Sequence, residues 1–171
     1  MLKRRWIYLV LACCILFVGC GNAAHMVVEV EGDVQDSAVE LMLAQPQEAL
    51  DEIYHSVTVK DVKDADDDVL ENKFRMHLER LDDYYVRYAS GRYGVANVFI
   101  LEPTEGMIDL VREKLFEIKT NLINEFQSYD IYNSYQIAQD AQIFEQGDYV
   151  IMLMLDDNDA AREIIDQYIP K

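Results

Sequence analysis

The sequence predicts an α+β domain of two layers built on an antiparallel sheet, and the clearest indications lie between residues 82 and 171. Over this range the residue patterns predict strand, strand and helix, and then the same order again. Each half combines a hairpin with glycine in its loop, a strongly apolar second strand and an amphipathic helix. Helices that collect on one face of such a sheet form a second layer. We therefore expect two hairpin–helix (ββα) units, preceded by two additional helices.

The first unit begins with two runs of β-branched and aromatic residues, 84–88 and 95–101. Glycines punctuate the segment between these runs, which is typical of a hairpin with a longer loop. Pro103 ends the second strand, and Thr104 is a favourable N-cap for a helix over 105–127. Apolar residues recur on one side of this helix at spacings of three and four, namely Ile108, Val111, Leu115, Ile118, Leu122 and Phe126.

The second unit contains a strand without any polar residue, 149–155, which is predicted to pair with 141–144 across a turn at 146–148. Such a strand should be covered on both faces or lie at the centre of its sheet. The acidic residues that follow it are suitable caps for a helix over 158–168. A connection that carries several tyrosines, 128–138, joins the two units.

Two helices are predicted ahead of the sheet, over 46–56 and 68–81. Pro46 suits the first turn of the first helix, and apolar residues recur at helical spacing in both segments. The pattern does not decide whether these helices pack at the edge of the sheet or beneath it. An acidic connector, 57–68, separates them.

The acidic connector has part of the pattern of a calcium loop. Asp64, Asp66 and Asp68 alternate as in the first half of an EF-hand. The sixth position is Val69, where the sharp turn needs glycine, and the twelfth is Arg75, where a bidentate glutamate is needed. We therefore predict no metal site here, and expect a solvated loop whose acids cap the next helix.

Residues 1–19 have the layout of a secretory signal peptide. Three basic residues precede an unbroken apolar run over 6–18, and Gly19 comes directly before Cys20. The ending LFVGC resembles the lipobox of bacterial lipoproteins, although Phe17 stands where leucine is usual. This resemblance implies that Cys20 carries a diacylglycerol, which would anchor the protein to the extracytoplasmic face of the cell membrane.

An uncleaved transmembrane anchor is the alternative interpretation of the same residues. The apolar run has 13 residues, whereas a membrane-spanning helix needs about 20. In the lipoprotein interpretation 20–45 is a tether and 46–171 is the folded domain. No cysteine other than Cys20 then remains, so the exported domain can form no disulfide bond.

The charge of the chain excludes one large class of partners. The full sequence has 15 basic and 32 acidic residues, and a formal charge of −17. Loss of the three basic residues within 1–19 leaves 12 basic residues against the same 32 acids, a formal charge of −20. Such a surface repels nucleic acid phosphates and favours cations or basic partners. The same charge would also keep an exported domain soluble.

The sequence contains no recognisable catalytic constellation. It has no Gly-x-Ser-x-Gly elbow, no His-Glu-x-x-His helix and no phosphate-binding glycine loop, and its three histidines are His25, His55 and His77. We therefore predict no catalytic residue, cofactor or metal, and a non-catalytic binding or interaction module of the cell envelope. Two alternatives stay open: an envelope enzyme that acts on glycans through paired carboxylates such as Asp156 and Asp157, and a structural subunit of a membrane complex.

Tyrosines are the most informative side chains for a binding site, because they combine a flat apolar face with a polar tip. Eight of them fall in and around the two hairpins: Tyr84, Tyr85, Tyr88, Tyr93, Tyr129, Tyr132, Tyr135 and Tyr149. We expect these rings to be buried as packing. If instead segments 84–93 and 129–135 meet and expose rings around a concavity, a glycan or peptide site is indicated.

The same segments carry a family resemblance. The run from Leu81 through 95–101, the long helix, the FQSY of 126–129 and the QGDYVI of 146–151 resemble an uncharacterised family of Gram-positive bacterial lipoproteins, domain of unknown function 4358. The resemblance covers residues 46–169. It implies a location and a domain extent, and no activity or catalytic residue.

Overall fold

A computed structural model describes residues 43–89 and 91–171, so the predicted signal peptide, Cys20 and most of the tether lie outside the described residues. In chain order the elements are α1 (Pro46–Ser56), β1 (Val62–Asp64), β2 (Leu81–Ala89), β3 (Asn97–Pro103), α2 (Ile108–Ser128), α3 (Ser134–Gln139), β4 (Gln142–Gln146), β5 (Tyr149–Met154) and α4 (Asn158–Tyr168). The strands form one antiparallel sheet in the order β1-β2-β3-β5-β4. Two hairpins, β2–β3 and β4–β5, therefore lie side by side.

Strand β5 lies in the interior of the sheet, next to the central strand β3, and is covered on both faces, as its lack of polar residues predicted. It pairs with β3 on one side and with β4 on the other, so that Met152 lies between Phe99 and Ile143. All six residues of β5 are buried, and Met152 is 0 % exposed. The apolar composition of this strand follows from its coverage on both faces.

Side chains alternate between the two faces of the sheet and build two separate cores. On one face, Phe99 packs in a cluster with Leu115 of α2. On the other, the neighbouring Ile100 packs in a cluster with Leu50 of α1 and Ile165 of α4. Helices therefore cover both faces of the sheet.

The α+β class and the antiparallel sheet are confirmed, and the layering differs from the predicted two layers. Helix α1 lies beneath the sheet with α4, while α2 and α3 cover the opposite face. The two ββα segments consequently place their helices on opposite faces and do not repeat one another in space. The physical reason is that β3 and β5 are apolar on both faces, and each apolar face must be covered.

The prediction of a second helix over 68–81 is wrong. The chain instead forms a short π-helical turn, Val69–Lys73, then a 3₁₀ turn, Leu78–Arg80, and β2 begins directly afterwards. Between the two turns Arg75 adopts φ 53°, a left-handed conformation that no helix can continue through. The apolar spacing that suggested a helix has another cause, since Phe74 is buried between Tyr88 and Phe99.

The predicted helices 46–56 and 158–168 are confirmed to the residue. Asp157 caps the second of them by accepting a hydrogen bond from the Ala160 amide. Helix α2 begins three residues later than predicted, because Met107 N–H bonds the Thr104 carbonyl in a turn that contains Gly106. Thr104 is therefore not its N-cap. The short elements β1 and α3 lie in segments that were predicted as connections.

Candidate binding site

Two exposed tyrosines from distant segments meet at one concavity, which we call the tyrosine cleft. Tyr93 comes from the β2–β3 loop and Tyr132 from the turn between α2 and α3. Together with Thr58, Val59 and Lys60 they line a cavity of about 300 Å³. Tyr132 is 74 % exposed and Tyr93 36 % exposed. The cleft therefore offers two aromatic faces and one cation to a ligand.

A buried serine holds the two tyrosine-bearing segments together. Ser134 is 0 % exposed; its Oγ accepts a hydrogen bond from the Val95 amide over 3.0 Å and donates one to the Ile131 carbonyl. Gly94 packs directly against this hydroxyl, because a Cβ at that position would lie 3.1 Å from Ser134 Oγ. Gly94 also has φ +95°, which L side chains rarely adopt. The geometry of the cleft is thus fixed by buried contacts.

The backbone of the exposed Tyr132 adopts a conformation that is unfavourable for a tyrosine. Tyr132 and the following Asn133 have φ 52° and 62°. Asparagine tolerates this left-handed region, whereas a bulky residue such as tyrosine is strained there. Strain of this kind costs about 1–3 kcal/mol and is found most often at binding sites and switch regions.

A second cavity adjoins the tyrosine cleft and is mainly apolar. It has a volume of about 320 Å³ and shares Thr58 and Val59 with the cleft as lining residues. Its remaining lining includes Ile53, Val95, Ala96, Ile137, Leu155 and Ile164, with Asp156 and Asp157 at the rim. A ligand that occupied both cavities would cross the strip of backbone formed by Thr58 and Val59.

This strip of backbone is not engaged in the sheet. Within the described residues, Thr58, Val59 and Lys60 form no backbone–backbone hydrogen bond, and β1 begins only at Val62. Amide and carbonyl groups of this segment are therefore open to water or to a ligand strand.

The other predicted tyrosines divide into packed and hydrogen-bonded side chains. Tyr88 and Tyr149 are each 8 % exposed, which confirms the expected burial at these two positions. Tyr84 donates to Asp67 and Tyr85 to Asp83, and these hydrogen bonds raise the pKa of both phenols to about 12. The expectation of burial is wrong for Tyr93 and Tyr132, and also for Tyr129, which is 73 % exposed and does not line the cleft.

The apolar stripe of the predicted helix 46–56 includes Tyr54, but the sequence did not reveal that its hydroxyl forms hydrogen bonds. Its hydroxyl lies within hydrogen-bond distance of the Arg87 and Ala96 carbonyls, at 2.9 and 2.8 Å, and burial raises its pKa. Tyr54 thereby ties α1 to the β2–β3 hairpin behind the cleft. Its position at i+4 from Leu50 was the available signal, because it placed the ring on the apolar face of the helix.

Carboxylates gather at the opposite end of β3. Burial is the main cause that raises the pKa of Glu102, and the charges of Asp82, Asp83 and Asp148 raise it further. Asp157, one of the acids considered for catalysis, is used as the N-cap of α4. In the described part of the chain no three His, Cys, Asp or Glu side chains converge as metal ligands.

The histidines within the described ranges do not come together. His55 pairs with Glu52 and His77 with Glu79, each at 3.1 Å and on exposed surface. His25 and the predicted lipid-attachment residue Cys20 lie outside the described ranges. No helix within 43–89 or 91–171 is long and apolar enough to span a membrane.

The sequence model of domain of unknown function 4358 (DUF4358) matches residues 55–155. The chain belongs to this family. All five residues of the tyrosine cleft lie within the part that matches DUF4358. No curated protein and no solved structure matches the chain.

Proposed function

We propose that this protein is a non-catalytic binding module of the cell envelope, anchored at Cys20 to the extracytoplasmic face of the membrane by a diacylglycerol. The observation that carries the binding role is the pair of exposed tyrosines, Tyr93 and Tyr132, around one concavity. Anchoring is supported by the signal-like layout of residues 1–19 and by the cysteine that follows it.

The ligand we propose for the tyrosine cleft is an extended peptide segment of an envelope protein. The open backbone groups of Thr58, Val59 and Lys60 suit a peptide that adds to them as a strand. The adjoining apolar cavity of about 320 Å³ is large enough for an apolar side chain of that peptide. Asp156 at its rim and the acidic surface as a whole favour a segment with positive charge.

Affinity is expected to depend on the two tyrosine rings. Exposed aromatic side chains at the centre of an interface commonly contribute more than about 2 kcal/mol each when they are truncated. Tyr132→Ala should therefore weaken peptide binding about tenfold or more, and Tyr129→Ala is the matched control because Tyr129 is equally exposed outside the cleft.

The experiment uses the intact lipoprotein in nanodiscs and an array of peptides from extracytoplasmic proteins. Binding of basic, apolar-containing peptides that is lost in Tyr132→Ala and kept in Tyr129→Ala supports the proposal. A protein that binds purified cell-wall glycan and none of the peptides would show that the tyrosines recognise sugar, and would refute the peptide assignment. Equal loss in both variants would place the binding surface elsewhere.

A further inference from the structure

Another cavity is separate from the tyrosine cleft and has a different character. It has a volume of about 420 Å³, within the range of about 300–1,000 Å³ that is usual for small-molecule sites. It lies between the π-helical turn, the β2–β3 loop and α2. Phe74, Ile118, Leu122 and Phe126 supply its apolar lining.

The apolar part of this cavity is rigidly packed before any ligand arrives. Phe74 contacts the rings of Tyr88 and Phe99 edge to face, with centroids 5.4 and 4.9 Å apart. Phe126 and Ile118 are 2 % and 4 % exposed. Because these side chains are held by the main core, the cavity needs no rearrangement to accept an apolar group.

Basic and acidic side chains both lie at the mouth of this cavity. Lys73 and Arg75 come from the turn on one side. Glu117, Asn121 and Glu125 come from α2 on the other, and their spacing of four residues places them in a row on one face of the helix.

Within residues 43–89 and 91–171, two of these charges have no partner. Glu117 is engaged by Lys114 at 3.0 Å, and Lys73 lies 5.0 Å from the centre of the Tyr88 ring. Among the described residues, Arg75 and Glu125 take part in no ion pair or side-chain hydrogen bond. As far as the structure describes the chain, the mouth therefore presents one unpaired cation and one unpaired anion above an apolar cavity.

We propose that this cavity binds a small zwitterion with an apolar side chain, an α-amino acid of the type of leucine or phenylalanine. Arg75 would bind the ligand carboxylate, Glu125 its ammonium group, and the phenylalanine-lined interior its side chain. A ligand with only a negative charge would leave Glu125 without a partner and lie near a second carboxylate, Glu117. A ligand with only a positive charge would leave Arg75 without a partner and lie near a second cation, Lys73. Only a zwitterion satisfies both sides of the mouth.

The experiment measures binding of three matched compounds to the intact lipoprotein by calorimetry. L-Phenylalanine carries both charges, N-acetyl-L-phenylalanine only the negative one and L-phenylalanine amide only the positive one. The amino acid should bind at least tenfold more tightly than either blocked compound. Arg75→Gln should abolish its advantage over the amide, and Glu125→Gln its advantage over the N-acetyl compound. Glutamine is no more strained than arginine at φ 53°, so Arg75→Gln should fold normally.

Two further variants complete the test. Arg92→Gln is the matched control, because Arg92 is exposed in the neighbouring loop and does not line the cavity. Leu122→Trp should fill the cavity and prevent binding, while an unchanged melting temperature verifies its fold. Failure of wild-type protein to bind phenylalanine or leucine, equal affinity for the blocked compounds, or an equal effect of Arg92→Gln would each overturn the proposal.

The outcome is independent of the peptide proposal. Tyr132 does not line this cavity, so Tyr132→Ala should leave phenylalanine affinity within twofold of wild type. A variant that loses peptide binding and keeps phenylalanine binding establishes two sites. Loss of phenylalanine binding in Tyr132→Ala would contradict the separation of the two sites and overturn the proposal as stated.

Discussion

Substitution of Ser134 by alanine tests the geometry of the tyrosine cleft without touching its surface. Ser134 is 0 % exposed and joins Val95 to Ile131 through a single hydroxyl. Alanine removes this hydroxyl and leaves the Val95 amide and its surroundings buried. The substitution should therefore weaken the link between the β2–β3 loop and the turn that carries Tyr132.

The expected loss of stability follows from the free-energy cost of a buried hydrogen-bond donor that has lost its acceptor. That cost is about 1–3 kcal/mol. For a domain of this size, 1 kcal/mol corresponds to roughly 3–5 °C in melting temperature. Ser134→Ala should therefore lower the melting temperature by roughly 3–15 °C. Because the cleft loses its fixed geometry, peptide affinity should fall as well.

The assay combines thermal unfolding, followed by circular dichroism, with the peptide-binding measurement. Ser128→Ala is the matched control, since Ser128 is exposed at the end of α2 and should change neither quantity. A Ser134→Ala variant that melts within 1 °C of wild type would show that the Val95 amide finds another partner. The reasoning about how the cleft is held would then be refuted.

Three other predictions concern folding, pH and anchoring. Met152→Asp should prevent folding, because burial of an unpaired carboxylate at a 0 % exposed position costs several kcal/mol. A variant that melts like wild type would contradict this prediction. Glu102→Gln should stabilise the protein at neutral pH, since the raised pKa of Glu102 shows that its charged form is unfavourable in the fold. The gain in the free energy of unfolding should become smaller as the pH falls toward the ordinary glutamate pKa of 4.5. Urea unfolding of both proteins at pH 7 and pH 4 measures this gain, and a gain that is the same at both pH values would contradict the prediction. Cys20→Ala should abolish metabolic lipid labelling, and labelling that persists would move the anchor to another residue.

Local signals in the sequence were sufficient to predict several helices and strands. Helix α1 begins at a proline suited to its first turn, and α4 begins after an aspartate that forms the cap hydrogen bond. The apolar run of β5 predicted that this strand is covered on both faces, because an exposed face would carry polar residues. For the two helices the determining interaction lies within a few residues along the chain, and for β5 the signal is the composition of the strand itself.

Features that depend on packing between distant segments could not be predicted from local sequence patterns. Phe74 satisfies a helical spacing, yet its ring is buried against Tyr88 and Phe99 from two strands that follow it in the chain. The number of layers depended on which face α4 covers, and an amphipathic helix carries no information on that choice. Sequence identified Tyr93 and Tyr132 as candidates, but their meeting depends on Ser134, whose role no local pattern reveals.

The β2–β3 loop connects the two proposed sites physically. Gly91 and Val95 line the larger cavity, Val95 also lines the apolar cavity beside the cleft, and Tyr93 belongs to the cleft itself. A loop that contacts both ligands must keep one conformation for either site to be preformed, since each alternative conformation would lower the apparent affinity. Ser134 and the close approach of Gly94 supply this constraint from the α2–α3 side. A single buried contact thus determines the shape of the cleft and one wall of the larger cavity.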